Sequence, residues 1–99
     1  MKELKYWRDR IDEIDTGILR LLSRRARLAI ELGKLKRSDR LPYRVPQRER
    51  AVLARLTLAN RGPLNDQSIE RLFRLIMRET RRLQEHRVRW AGENRGDIA

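Results

Sequence analysis

Residues 4–37 read LKYWRDRIDEIDTGILRLLSRRARLAIELGKLKR, and the spacing of their apolar side chains decides the fold. Leu4, Trp7, Ile11, Ile14, Ile18, Leu21, Leu28, Leu32 and Leu35 follow in alternating steps of three and four. That is the period of a helix packed lengthwise against other helices. Gly17 and Gly33 interrupt neither the period nor the chain direction, and no proline neighbours them, so the spacing predicts one long helix. One member of the series is missing: the step after Leu21 lands on Arg25. An arginine on an apolar seam needs a partner or water, because an unpaired buried charge is expensive. Lys36 lies eleven residues further on. Eleven steps of ~100° return to nearly the same face, so the two cations point the same way about 16 Å apart along the axis. Two cations on one inward line suggest an anionic guest.

Downstream, Ser38, Asp39 and Pro42 end the helix, and residues 38–46 (SDRLPYRVP) form a loop. A second helix follows with Pro46 in its first turn, where a missing N–H is harmless. Its apolar face is Val52, Leu53, Leu56 and Ala59, and Asn60, Arg61, Gly62 and Pro63 stop it. A third helix starts with Asn65 as cap, Asp66 at the positive dipole end and Leu64 able to staple onto Ile69. Its inner stripe is Ile69, Leu72, Phe73, Ile76, Met77 and Leu83, and the pattern carries to about Trp90. Residues 1–91 then form one helical domain, and 92–99, with Gly92, Asn94 and Gly96, a flexible polar tail. Three helices of unequal length with no strand signal make the fold class all-α.

With 39% hydrophobic and 39% charged residues in a 99-residue chain, the core is thin for a monomer. Subunit association is the natural remedy. The chain has no cysteine and a single histidine, His86, so neither thiolate chemistry nor a His/Cys metal site is expected. No apolar run approaches the ~20 residues of a membrane span, and the charged start is no signal peptide. A cytoplasmic protein is expected. The formal charge of +11 favours anionic partners in general: nucleic acid, an anionic membrane surface or small acidic metabolites. Arginine used simply as a solubilising residue gives the same number, so composition does not choose.

Polar residues on apolar faces narrow the choice. Thr80 and Gln84 continue the line of Phe73, Ile76 and Met77. Thr80 has a simpler reading, a hydroxyl bonded back to its own helix; Gln84 has one too, an exposed helix end. Arg48 and Glu49 open the second helix, Glu49 on the face of Val52, Leu53 and Leu56. A first-turn glutamate alone is often just a dipole partner. Together, Arg25, Lys36, Arg48, Glu49, Thr80 and Gln84 supply three cations, one carboxylate, one amide and one hydroxyl. The set lacks a nucleophile with its base, metal ligands or a phosphate-cradling glycine loop. It suits a small dianion with a hydroxyl: arginines clamp carboxylates, glutamate accepts from the hydroxyl, and lysine and glutamine donate to an ether or carbonyl oxygen. Catalysis would consist of holding a reactive conformer and stabilising separated charge.

Four stretches carry a resemblance: WRDRIDEID at 7–15, LLSRRARLAIELGKLK at 21–36, PYRVPQRE at 42–49 and IERLFRLIMRETRRLQ at 69–84. In combination they resemble the all-helical chorismate mutases, the intertwined-homodimer type of the shikimate pathway. The resemblance implies a cofactor-free Claisen rearrangement of chorismate to prephenate, in aromatic amino acid biosynthesis. It implies that Arg25 and Arg8 hold the two carboxylates, that Lys36 and Gln84 bond the breaking ether oxygen, and that Glu49 takes the ring hydroxyl. Arg48 and Thr80 match supporting positions. No metal is implied.

Arg8 and Arg25 are seventeen residues apart, about 25 Å along one helix. A ligand of roughly ten ångströms cannot reach both within one chain. If both bind one substrate, Arg8 comes from a second subunit; otherwise it is an ordinary solvated residue. One departure stands out: where the family usually has an aspartate, three residues before the arginine of R-E, this chain has Val45. The related isochorismate-pyruvate lyases share the fold and vary at that position, but their pattern lacks the glutamate after the arginine. Glu49 therefore favours the mutase. A basic nucleic-acid-binding protein is the reading from another class, with Arg74, Arg78, Arg81 and Arg82 as an outward patch. It gives no reason for Arg25 and Lys36 to interrupt apolar seams.

Overall fold

The computed structural model describes residues 2–98, with side chains through residue 86. Three helices follow in order: α1 (Lys2–Ser38), α2 (Pro46–Ala59) and α3 (Asp66–Ile98). The expected long first helix is thus a single element through both glycines. The expected change to a polar tail at residue 92 falls beyond the described side chains.

Helix ends are set by local chemistry. α1 closes in a Schellman arrangement, with Leu41 N donating to Lys36 O at 2.6 Å and Arg40 N to Arg37 O at 3.1 Å. The motif needs a left-handed residue, and Arg40 fills it at φ 56°, a position that glycine takes with less strain. α2 begins at Pro46 behind Val45, whose side chain offers no cap. At the α2–α3 turn, Asn60 Nδ2 donates to Leu64 O and to Asp66 Oδ1, both at 2.8 Å. The turn includes a cis Gly62–Pro63 bond. Asn65 caps α3 as expected, its Oδ1 accepting from Ser68 N at 2.8 Å.

α3 packs against both α1 and α2, and the molecule is an open layer measuring 53 × 37 × 14 Å. An α-helix with its side chains is ~10–12 Å across, so the layer is about one helix thick. Among the described residues the buried apolar side chains are few: Ala29, Val52, Leu53 and Met77. Of the expected α3 stripe, Leu72 is half exposed, while Ile69, Phe73, Ile76 and Leu83 are partly covered. The seam of α1 is the larger departure from a self-contained domain. All nine of its apolar residues stay between 49% and 69% exposed. Among the described residues no helix is long and apolar enough to cross a membrane.

Candidate active site

Where the C-terminal part of α1, the start of α2 and the middle of α3 converge, they enclose an open cavity of about 320 Å³. Arg25, Lys36, Arg48, Glu49, Thr80 and Gln84 all line it, with Leu28, Leu32, Val52 and Met77 as apolar wall. Six of the seven residues singled out in the sequence therefore meet in one place. The seventh, Arg8, does not: it stands exposed near the start of α1, seventeen residues before Arg25.

Five of the six polar side chains, all but Arg48, are held by a specific partner. Arg25 Nη1 donates to Thr80 Oγ1 at 2.7 Å, and Thr80 donates in turn to Ile76 O at 2.7 Å. The simpler reading of Thr80 is thus correct and incomplete, since the hydroxyl bonded to its own helix also orients the arginine. Arg25, Lys36 and Arg48 have no carboxylate within 4.0 Å among the described residues, which leaves their charge for a guest. Lys36 Nζ donates to Tyr43 O at 2.9 Å, so the 38–46 loop aims it. An ammonium has three donors, and two remain.

Gln84 is 5% exposed, which excludes the frayed-end reading. Its Nε2 donates to Ala29 O at 2.8 Å, which fixes the amide and leaves its second N–H for the cavity. Gly33 is what admits it: a Cβ there would lie 3.0 Å from Gln84 Cγ. The glycine is needed for close approach of α3 and not for its backbone angles.

Two arginines hold Glu49. Arg44 Nε donates to Oε1 at 3.3 Å, and Arg81 Nη1 makes a short contact with Oε2. Glu49 and Arg81 side chains are 19% and 23% exposed, so the pair is more sheltered than the surface bridges such as Lys5–Asp9. This corrects the outward patch expected from the sequence. Arg81 turns inward and lines the cavity, whereas Arg82 pairs with Glu79 at the surface. A signal was present, because Met77, Thr80, Arg81 and Gln84 share a helical face; an arginine beside other arginines reads by default as solvated.

A protein-family model described as chorismate mutase type II matches residues 7–85. The chain belongs to the chorismate mutase type II family. A chorismate mutase from Thermus thermophilus superimposes with a TM-score of 0.82 at 40% identity, covering 84% of this chain and 94% of that one. Among curated relatives, the bifunctional chorismate mutase/prephenate dehydratase of Neisseria gonorrhoeae is 51% identical over 72 residues, covering 73% of this chain and 19% of the relative. The enzyme of the same description from Aquifex aeolicus is 38% identical over 81 residues, covering 78% and 22%. This type II chain thus spans about a fifth of the length of the curated relatives it matches.

Proposed function

We propose that this chain rearranges chorismate to prephenate as a cytoplasmic isomerase without cofactor. One observation carries the reading. Three cations with no carboxylate partner among the described residues and one fixed amide face a single cavity, with Glu49 on its wall. Chorismate is a dianion with a ring hydroxyl and an enol-ether oxygen, and each group has a counterpart. Arg25 takes one carboxylate in the bidentate manner that suits a guanidinium. Thr80, whose only proton goes to Ile76 O, acts through Arg25. Arg48 adds a second cation at the mouth. Glu49, engaged once at each oxygen, retains lone pairs for the ring hydroxyl.

The reaction is unimolecular. The ether C–O bond breaks while a C–C bond forms between side chain and ring, and no proton or electron leaves the substrate. Negative charge develops on the ether oxygen as the bond stretches. Lys36 and Gln84, each held by a backbone carbonyl, are preorganised donors for that charge, and such donors act mostly in the transition state. The apolar wall selects the folded conformer in which the bonding carbons meet.

The active unit is a homodimer with an intertwined pair of α1 helices. The exposed seam of α1 supports this reading: a buried Leu or Ile side chain gains about 1.5–3 kcal/mol over an exposed one, and apart from the cavity wall Leu4, Trp7, Ile11, Ile14, Ile18, Leu21 and Leu35 stay 49–64% exposed along α1. In that assembly Arg8 of a second copy supplies the clamp for the other carboxylate.

The test is to incubate purified protein with chorismate and no additive and to follow loss of substrate absorbance and appearance of prephenate. Isochorismate is run in parallel. Salicylate and pyruvate from isochorismate, with no prephenate from chorismate, would overturn the assignment.

A further inference from the structure

A second cavity lies on the far side of Glu49, between the start of α2 and the outer face of α3. Arg44, Arg71, Arg74, Arg78 and Arg81 line it, and Glu49 is its one carboxylate. Five positive charges against one negative leave a formal +4. Among the described residues Arg71 and Arg78 have no carboxylate within 4.0 Å, and Arg74 reaches Glu70 only at 3.9 Å. Gathering like charges in one concavity is unfavourable unless something anionic joins them. Planar guanidinium forks match the oxygens of phosphates and carboxylates. The feature is also a compact, open depression with exposed arginines, unlike the extended basic stripe that tracks a nucleic-acid backbone.

We propose that this cavity is an anion site for a compact polyanion, bearing phosphate or several carboxylates, and that it is coupled to the substrate cavity through Glu49. The coupling half rests on the chorismate mutase reading; the site itself does not. Glu49 and Arg81 line both cavities, and Arg44 and Arg81 are the two partners of Glu49. An anion in the second cavity competes with Glu49 for both arginines. It removes positive potential from the wall of the substrate cavity and leaves the Glu49 carboxylate less neutralised. Both changes oppose a dianionic substrate, so the anion raises KM. By linkage, substrate weakens the anion by the same factor.

Inorganic pyrophosphate is the probe. It is titrated calorimetrically at physiological salt into the full chain and into the Arg74→Gln/Arg78→Gln double variant, whose substitutions lie outside the substrate cavity. The expected result is binding that weakens about tenfold or more in the double variant, since each lost charge-assisted contact is substantial. With chorismate, pyrophosphate raises KM in the unaltered protein and much less in the double variant, while turnover without pyrophosphate is the same in both. Equal pyrophosphate binding by the two proteins overturns the site, because the anion then sits elsewhere, for example among the substrate-cavity cations. A single-stranded oligonucleotide that binds more tightly than pyrophosphate, and loses that binding in the double variant, overturns the small-ligand assignment in favour of nucleic-acid phosphate. Absence of any chorismate turnover refutes the enzymatic reading and leaves the calorimetric result to decide the site alone.

Discussion

Gln84 rests directly on Gly33: a Cβ at position 33 would come within 3.0 Å of Gln84 Cγ and 3.3 Å of Gln84 Cβ. The contact joins α1 to α3 at the point where the Gln84 amide is tied to Ala29 O. The glycine therefore sets how deeply the amide reaches, and the amide is one of the two donors assigned to the ether oxygen.

Gly33→Ala is expected to lower kcat/KM by about tenfold, because a displacement of a few tenths of an ångström to an ångström in a positioned group is costly. Stability changes less. Overpacking of about 1–3 kcal/mol is offset in part by the ~0.5–1 kcal/mol that alanine gains over glycine in a helix. Steady-state kinetics with thermal unfolding of the same sample measure both. Unchanged kcat/KM would show that Gln84 has no exacting position.

Arg25→Ala should remove most activity, and Thr80→Val should lose about tenfold through misorientation of the same guanidinium. Because Thr80 acts through Arg25, the two effects should not add. A double-variant cycle on kcat/KM reads the coupling; strict additivity would mean that Thr80 has its own contact with substrate.

Lys36→Ala should reduce kcat far more than it raises KM. The ammonium is held by Tyr43 O, and in the proposed reaction it meets charge that grows mainly in the transition state. A change confined to KM would assign Lys36 to ground-state binding instead.

Mixing Arg8→Ala protein with Arg25→Ala protein tests the shared site. Each variant alone is expected to be nearly inactive. In a hybrid dimer one site regains both arginines and the other loses both. Random reassortment of equal amounts should then restore about a quarter of unaltered activity. No recovery, despite hybrid dimers detected by native mass spectrometry, would place Arg8 outside the site.

Val45→Asp should stabilise the chain. Val45 occupies the N-cap of α2 with no side-chain hydrogen bond, and an N-cap aspartate is worth ~1 kcal/mol over an apolar residue. For a domain of this size that corresponds to an increase in Tm of about 4–8 °C. Scanning calorimetry decides it; no increase would mean that the loop cannot present the new side chain to the free N–H groups.

The sequence by itself determined the elements. Alternating steps of three and four carry α1 from end to end, Pro46 and Asn65 start the next helices, and Asn60 stops the second. These are local effects, in which backbone groups and side chains within a few residues find or lose partners. It also marked Arg25, Lys36, Glu49 and Gln84 as anomalies, because a polar residue on an apolar period is visible without knowing what it faces. Only the tertiary structure decided the partners. Arg81 and Arg82 are adjacent and chemically alike, yet one closes on Glu49 and the other on Glu79. The helical period puts them on different faces of α3, but only the packing of α3 on α2 decides that the inward one meets Glu49, while the outward one stays with Glu79 on its own helix. Gly33 is a similar case: as a residue it only weakens a helix, and as a contact it admits Gln84. The packing of α3 across α1 and α2 converts scattered exceptions into a site, because ion pairing and close approach depend on distances that the chain sets only when its helices meet.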